Sequence, residues 1–215
     1  MNHKLKTLVS ASMLCAIAYI MAFIGRVPVV LFLQYDPKDI IITLAGLIWG
    51  PLMSLIISCI VSFFEMLTFS GTGPIGCIMN ILSTCAFACT AAFIYKKKRS
   101  LSGALIGLLT GSIAMIVVML LWNYLITPLY MGVSREAVVD LLIPAFLPFN
   151  ALKAGLNAAF TFLLYKPVIS TLRRAHLVDA PASPNKKKIP WGFIVLSIAI
   201  IATCILFILS LNGII

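Results

Sequence analysis

Residues 101–126 read LSGALIGLLTGSIAMIVVMLLWNYLI, and no acidic, basic or histidine residue interrupts them. At 1.5 Å per residue an α-helix of this run is about 39 Å long, more than the roughly 30 Å of a bilayer's hydrocarbon core. A helix apolar on every side must be buried in a large core or in lipid. The rest of the chain decides for lipid. Its 215 residues are 62% hydrophobic and only 10% charged, whereas a soluble domain is about half apolar and a quarter charged. Roughly 150 to 160 apolar-rich residues supply six or seven spans at about 20 residues each.

Working outward from that run, charge and Gly/Pro punctuation predict further helices over 8–24, 40–49, 52–69, 77–95, 148–165 and 191–211. The helix over 148–165 has a lead-in from 141. The run over 40–49 is short for a full span, and Gly50-Pro51 reads as a tight turn. Residues 127–136, TPLYMGVSRE, read as a loop. The expected architecture is an all-α integral membrane protein. A six-helix core spans 1–170, a basic cytoplasmic linker spans 171–190, and an extra C-terminal transmembrane helix lies within 191–215. No cleavable signal peptide is expected, because no small-residue cleavage site follows the long first run.

The net charge of +10 raises the question of nucleic acid. The basic residues answer it, since they sit in short blocks between apolar runs, where they set orientation. With the N-terminus in the cytoplasm, twelve Lys and Arg fall inside and three, Arg26, Lys38 and Arg135, fall outside. The acids Asp36, Asp39, Glu136 and Asp140 also fall outside. The outer half therefore holds the mixed chemistry and is the better place for a solute. The odd number of helices puts the C-terminus outside.

The six cysteines lie within apolar segments and form no CxxC pair or Cys/His cluster, so a zinc site or disulfide framework is not expected. No GxxxxGK[ST] loop, HExxH or GxSxG is present, which argues against nucleotide hydrolysis and the common hydrolase sites. An intramembrane lipid-modifying enzyme using Glu65 or a cysteine is a minor alternative.

Two ionisable residues stand deep in apolar runs, and each costs about 2.5–3.5 kcal/mol at the bilayer centre. Glu65 is near enough to a helix end to snorkel. Lys153 shares one helical face with Asn150 and Asn157, three and four residues away. Pro148 suits a helix start, so this stripe begins beside outward-pointing backbone N–H groups. It is a donor-rich patch suited to a ligand with carbonyls or ring nitrogens, or alternatively a polar pair joining helices. Tyr35, Trp122, Tyr124, Tyr130, Phe146 and Phe149 map to the outer half and could wall a flat ring or form an interfacial belt. Small residues recur at four at Gly103, Gly107 and Gly111, at Ala151, Gly155 and Ala159, and at Ala18 and Ala22, allowing close helix approach.

Four stretches, FLQYDPKDI (32–40), TFSGTGPIG (68–76), NYLITPLY (123–130) and LPFNALKAG (147–155), occur in this order. Together they closely resemble the riboflavin-specific S component of energy-coupling factor (ECF) vitamin transporters, over about residues 1–170. The resemblance implies a membrane-embedded binder that is no enzyme and carries no cofactor. It implies capture of riboflavin from outside, beside a transmembrane coupling protein and two cytoplasmic ATPases. Its motifs carry substrate binding to Asn123, Asn150 and Lys153, and to Tyr35, Asp36, Gly71, Thr72, Tyr124, Thr127 and Phe149 around them. The family's AxxxA docking motif carries to Ala18 and Ala22. An S component for another vitamin stays open.

Overall fold

The structure, a computed structural model, describes residues 3–177 and 191–211. Residues 178–190, most of the expected linker, and residues 212–215 lie outside the described part. Eight α-helices are described: α1 (His3–Ile24), α2 (Lys38–Trp49), α3 (Pro51–Thr68), α4 (Gly73–Lys97), α5 (Leu101–Met131), α6 (Arg135–Leu141), α7 (Leu147–Arg174) and α8 (Trp191–Leu211). A turn of π-helix over Leu142–Phe146 joins α6 to α7. Pro144 and Pro148 lack N–H groups in and just after this turn, so the regular bonding cannot run through it.

Among the described residues, five stretches are long and apolar enough to cross a membrane: Lys4–Ile24, Pro51–Thr68, Gly73–Lys97, Leu101–Met131 and Arg135–Leu172. The 12-residue α2 is different. It is only about 18 Å long, and nine of its residues are buried among α1, α3, α4 and α7. It is an internal strut rather than a lipid-facing span. Gly50, at φ 103°, gives the left-handed turn into α3, whose first residue is Pro51.

Between α1 and α2, Val27–Val30 (β1) pairs antiparallel with Leu33–Tyr35 (β2), favoured by the β-branched and aromatic residues of VPVVLFLQY. Two local expectations are corrected. Thr127–Met131 are helical, with Pro128 inside α5, so the loop predicted at 127 begins later. The helix predicted from 77 begins at Gly73, because Pro74 is tolerated in a first turn.

Small residues set the closest helix contacts. A Cβ on Gly107 would meet the Ala91 carbonyl oxygen at 2.7 Å, and one on Gly111 would meet that of Phe87 at 2.6 Å. Thus α5 lies backbone to backbone on α4, and any larger side chain would separate them. Ala18 and Ala22 are fully buried, and Ala18 packs with Ile42, Ala45, Ile57 and Val61. Expected as a docking face, the two are covered within this chain, and Ala18 lies where α1 packs on α2 and α3. The small residues left exposed four apart on α1 are Ser12 and Ala16. Helix α8 packs on α7, with Ile201, Cys204 and Ile208 against the cluster of Val29, Tyr35, Phe149, Leu152 and Leu156. Gly155 lies under it, facing Ile200 and Cys204.

Candidate functional site

Polar residues on α2, α3, α4 and α7 converge beneath the β-hairpin. Asn150, Lys153 and Asn157 do share an inward face of α7, at 1%, 4% and 0% exposure. Lys153 Nζ pairs with Asp39 Oδ2 at 3.1 Å. Asn157 Nδ2 donates to the same oxygen at 3.2 Å, and Thr84 Oγ1 donates to Oδ1 at 2.6 Å.

A second group lies alongside. Arg26 Nε donates to Asp36 Oδ1 at 2.7 Å, and its guanidinium also bonds Glu65. The Lys38 ammonium bonds the other Glu65 oxygen and lies 3.6 Å from Asp36. Asn80 Nδ2 donates to Glu65 Oε1 at 3.1 Å. Glu65 is fully buried between two cations, so it neither snorkels nor is free to act as a base. The six charges, Arg26, Lys38 and Lys153 against Asp36, Asp39 and Glu65, sum to zero. Neutrality is what makes such a cluster tolerable at low dielectric. Burial opposes the charge on Asp36, but Lys38, Lys153 and Arg26 outweigh it and hold the carboxyl below its ordinary range.

Two adjoining voids meet at Met79. The polar one, about 280 Å³, is lined by Leu33, Gln34, Met79, Asn80, Ser83, Met119, Phe149, Asn150 and Lys153. The apolar one, about 240 Å³, is lined by Phe32, Thr72, Ile75, Gly76, Met79, Trp122, Ile126, Thr127 and Tyr130. Hairpin residues line both voids, Phe32 the apolar one and Leu33 and Gln34 the polar one, and Phe32 packs on Tyr130 and Phe146 with ring centroids 5.2 and 6.3 Å apart.

Some buried polar atoms around these voids have no partner among the described residues. Asn150 donates to the Phe146 carbonyl oxygen at 2.8 Å, yet its Oδ1 is unsatisfied. Asn123 accepts from Thr127 Oγ1 at 3.0 Å, yet its Nδ2 is unsatisfied. A buried amide atom without a partner is costly, and both belong to residues lining a void or bonded to one that does. A ligand offering a donor and an acceptor would relieve them. Among the described residues no group of His, Cys, Asp and Glu is arranged to hold a metal.

Of the residues expected at the site, Phe149, Asn150 and Lys153 line the polar void, and Thr72 and Thr127 line the apolar one. Asn123 backs Thr127. Four are placed elsewhere. Tyr124 points away, 37% exposed under the Arg135 guanidinium, because the next residue along a helix is turned by roughly 100° from Asn123. Gly71 is exposed at a turn, with open space around it. Asp36 is committed to Arg26 and Lys38. Tyr35 packs in the cluster under α8. Sequence reading missed Gln34, Met79, Asn80, Ser83 and Met119. Asn80, Ser83 and Thr84, all buried, are spaced three and one along an apolar run, a polar face as legible as that of α7.

The sequence of residues 6–165 matches the family described as ECF transporter, substrate-specific component. The chain is 31% identical over 178 residues to the riboflavin transporter RibU of Staphylococcus aureus (strain TCH60), covering 79% of this chain and 93% of that one. It is also 31% identical over 191 residues to the riboflavin transporter FmnP of Bacillus subtilis (strain 168), covering 81% and 99%. The solved S component of a bacterial ECF transporter superposes with a TM-score of 0.68 at 30% identity, over 80% of this chain and 99% of that one. ThiT from Listeria monocytogenes shares the fold, with a TM-score of 0.52 at 16% identity. Helix α8 lies beyond the residues matched to the family.

Proposed function

Since the chain belongs to the family of substrate-specific components of ECF transporters, a family of multi-pass membrane binders and not of enzymes, we propose that it captures riboflavin in the paired voids around Met79. The observation that carries the reading is the mixed lining. The flavin ring is flat and apolar on its faces, with carbonyl oxygens, ring nitrogens and one N–H on its edge. Lys153 and Asn150 meet that edge, Met79, Met119 and Phe149 cover the faces, and the aromatic void beyond takes the rest of the ligand. Two relatives named as riboflavin transporters support the choice of vitamin. Titrating the purified chain with riboflavin, following flavin fluorescence, tests it. Saturable quenching of riboflavin fluorescence that excess thiamine does not reverse is expected, and no saturable quenching would remove riboflavin as the ligand.

The chain has no phosphate loop of its own, so in this reading a coupling membrane protein and two cytoplasmic ATPases supply the energy. The twelve-to-three distribution of basic residues supports a cytoplasmic N-terminus and a ligand entering from outside. The docking face on α1 falls on the small residues Ser12 and Ala16, both exposed and flanked by exposed Leu8, Met13, Ile17 and Ile20. In lipid, close backbone approach at small residues, serine as well as alanine, supplies much of helix association. Ser12→Trp with Ala16→Trp is therefore expected to keep riboflavin affinity within about threefold, or roughly 0.7 kcal/mol, while abolishing uptake and co-purification with the coupling protein. Uptake at the wild-type rate would place the docking surface elsewhere.

Helix α8 touches the hairpin strand β1 as well as α7, but none of its described residues lines either void. A chain ending after Leu177 is expected to bind riboflavin with affinity within about tenfold and to release it faster, since packing losses at the rim act mainly on off-rates. Stopped-flow dissociation reads this directly. Loss of binding altogether would make α8 part of the core.

A further inference from the structure

Asp39 is fully buried and lines neither void. Yet helices α4 and α7 both meet on its carboxylate. Oδ2 faces the Lys153 ammonium at 3.1 Å and accepts from Asn157 Nδ2 at 3.2 Å. Oδ1 accepts from Thr84 Oγ1 at 2.6 Å, and the Thr43 hydroxyl donates to the Asp39 backbone carbonyl at 2.6 Å. Asp39 sits in the first turn of α2, where the helix dipole favours an anion. The other two carboxylates of the cluster are committed to Arg26 and Lys38. Of the three cations in the cluster, Lys153 is the one that lines the polar void, and its close counter-ion is Asp39.

We propose that Asp39 is the positioning residue of the ligand site: it never touches the ligand, but fixes the Lys153 ammonium at the floor of the polar void. A lysine side chain is a flexible four-carbon stem with a strongly hydrated head. Left to itself at the edge of a void it would swing toward water or other acceptors. Pinned from behind by one carboxylate oxygen, it presents its remaining hydrogens to the void in one geometry, and the ligand meets an ordered donor. Thr84 and Asn157 hold the carboxylate in turn. Holding a binding group by a second layer of hydrogen bonds is what sets its precision.

The inference rests on Lys153 being a ligand group, as the proposed function has it, and the test separates the two. Riboflavin is titrated into the full-length wild type, Asp39→Asn, Lys153→Met and the double variant, recording affinity and the visible absorption band of bound flavin. Asp39→Asn is expected to weaken binding by about tenfold or more, although asparagine keeps the size and can still accept from Thr84. Its flavin band is expected to shift as in Lys153→Met, because in both the ring edge loses the same donor. The double variant is expected to bind as Lys153→Met does, within about twofold, since Asp39 acts only through Lys153. Affinity of Asp39→Asn within twofold of wild type overturns the proposal, and so does a double variant in which the two losses multiply. Should Asp39→Asn not accumulate, the double variant, which keeps the cluster neutral, is compared with Lys153→Met alone: equal affinities support the proposal and a further loss overturns it. Wild-type affinity in Lys153→Met would instead overturn the role of Lys153 itself, whatever Asp39→Asn does.

Discussion

Glu65→Leu is expected to destabilise the protein by about 3–5 kcal/mol, the scale of removing one partner from a buried ion pair. Glu65 is fully buried and takes both the Arg26 guanidinium and the Lys38 ammonium. Lys38 has no exposure at all. Without Glu65 the cluster carries one unbalanced positive charge, and the two cations share Asp36 alone. Asn80 Nδ2 loses its acceptor as well, so the wall of the polar void is loosened in the same step. Thermal unfolding in detergent, read by tryptophan fluorescence, would report the loss. Glu65→Leu combined with Lys38→Leu restores neutrality and is expected to recover much of it, because a buried pair replaced whole by apolar residues is often near neutral. A single variant as stable as wild type would mean that water reaches Glu65 and that the cluster is not a structural element.

Lys153→Met is expected to weaken riboflavin binding by about 1.5–3 kcal/mol, the scale of a hydrogen bond involving a charged group, which is roughly ten- to a hundredfold in affinity. Methionine keeps most of the length of the side chain, so the void keeps its shape and loses a donor. Asn150→Leu is expected to weaken binding in the same direction. It removes the Oδ1 acceptor that no described residue satisfies, but it also removes the bond to the Phe146 carbonyl at the start of α7. Fluorescence titration of both variants measures the effect. Unchanged affinity in both would reduce the α7 stripe to a tie between helices, with Asp39 and Phe146 as its only business.

The residues of the site also differ in how they could be found. Asn150, Lys153 and Asn157 were legible because a helix of period 3.6 puts them on one face, and because a charge in lipid needs a reason. The same logic would have found Asn80, Ser83 and Thr84. Tyr124 was misplaced for a related reason. Helix α5 is apolar nearly all round, so its sequence offers little to fix its rotation. Only its packing on α4, through Gly107 and Gly111, turns Asn123 and Thr127 inward and Tyr124 outward. Ser12–Ala16 and Ala18–Ala22 pose the same ambiguity: both spacings leave a groove, and the identity of the neighbouring helix decides which groove is filled.

Hydropathy and helical period are local properties of a chain, so the solvent, most of the spans and the polar stripe on α7 could be read along it residue by residue. The four ordered motifs carried the family in the same way. Which carboxylate answers which cation could not be read so. Asp39 and Lys153 are far apart in the chain and on different helices, and an energetic need for a counter-ion does not say where in the chain it lies. Low dielectric demands that every buried charge be matched, but only the packing of α2 between α4 and α7 brings Asp39 under Lys153 and leaves Glu65 to Arg26 and Lys38.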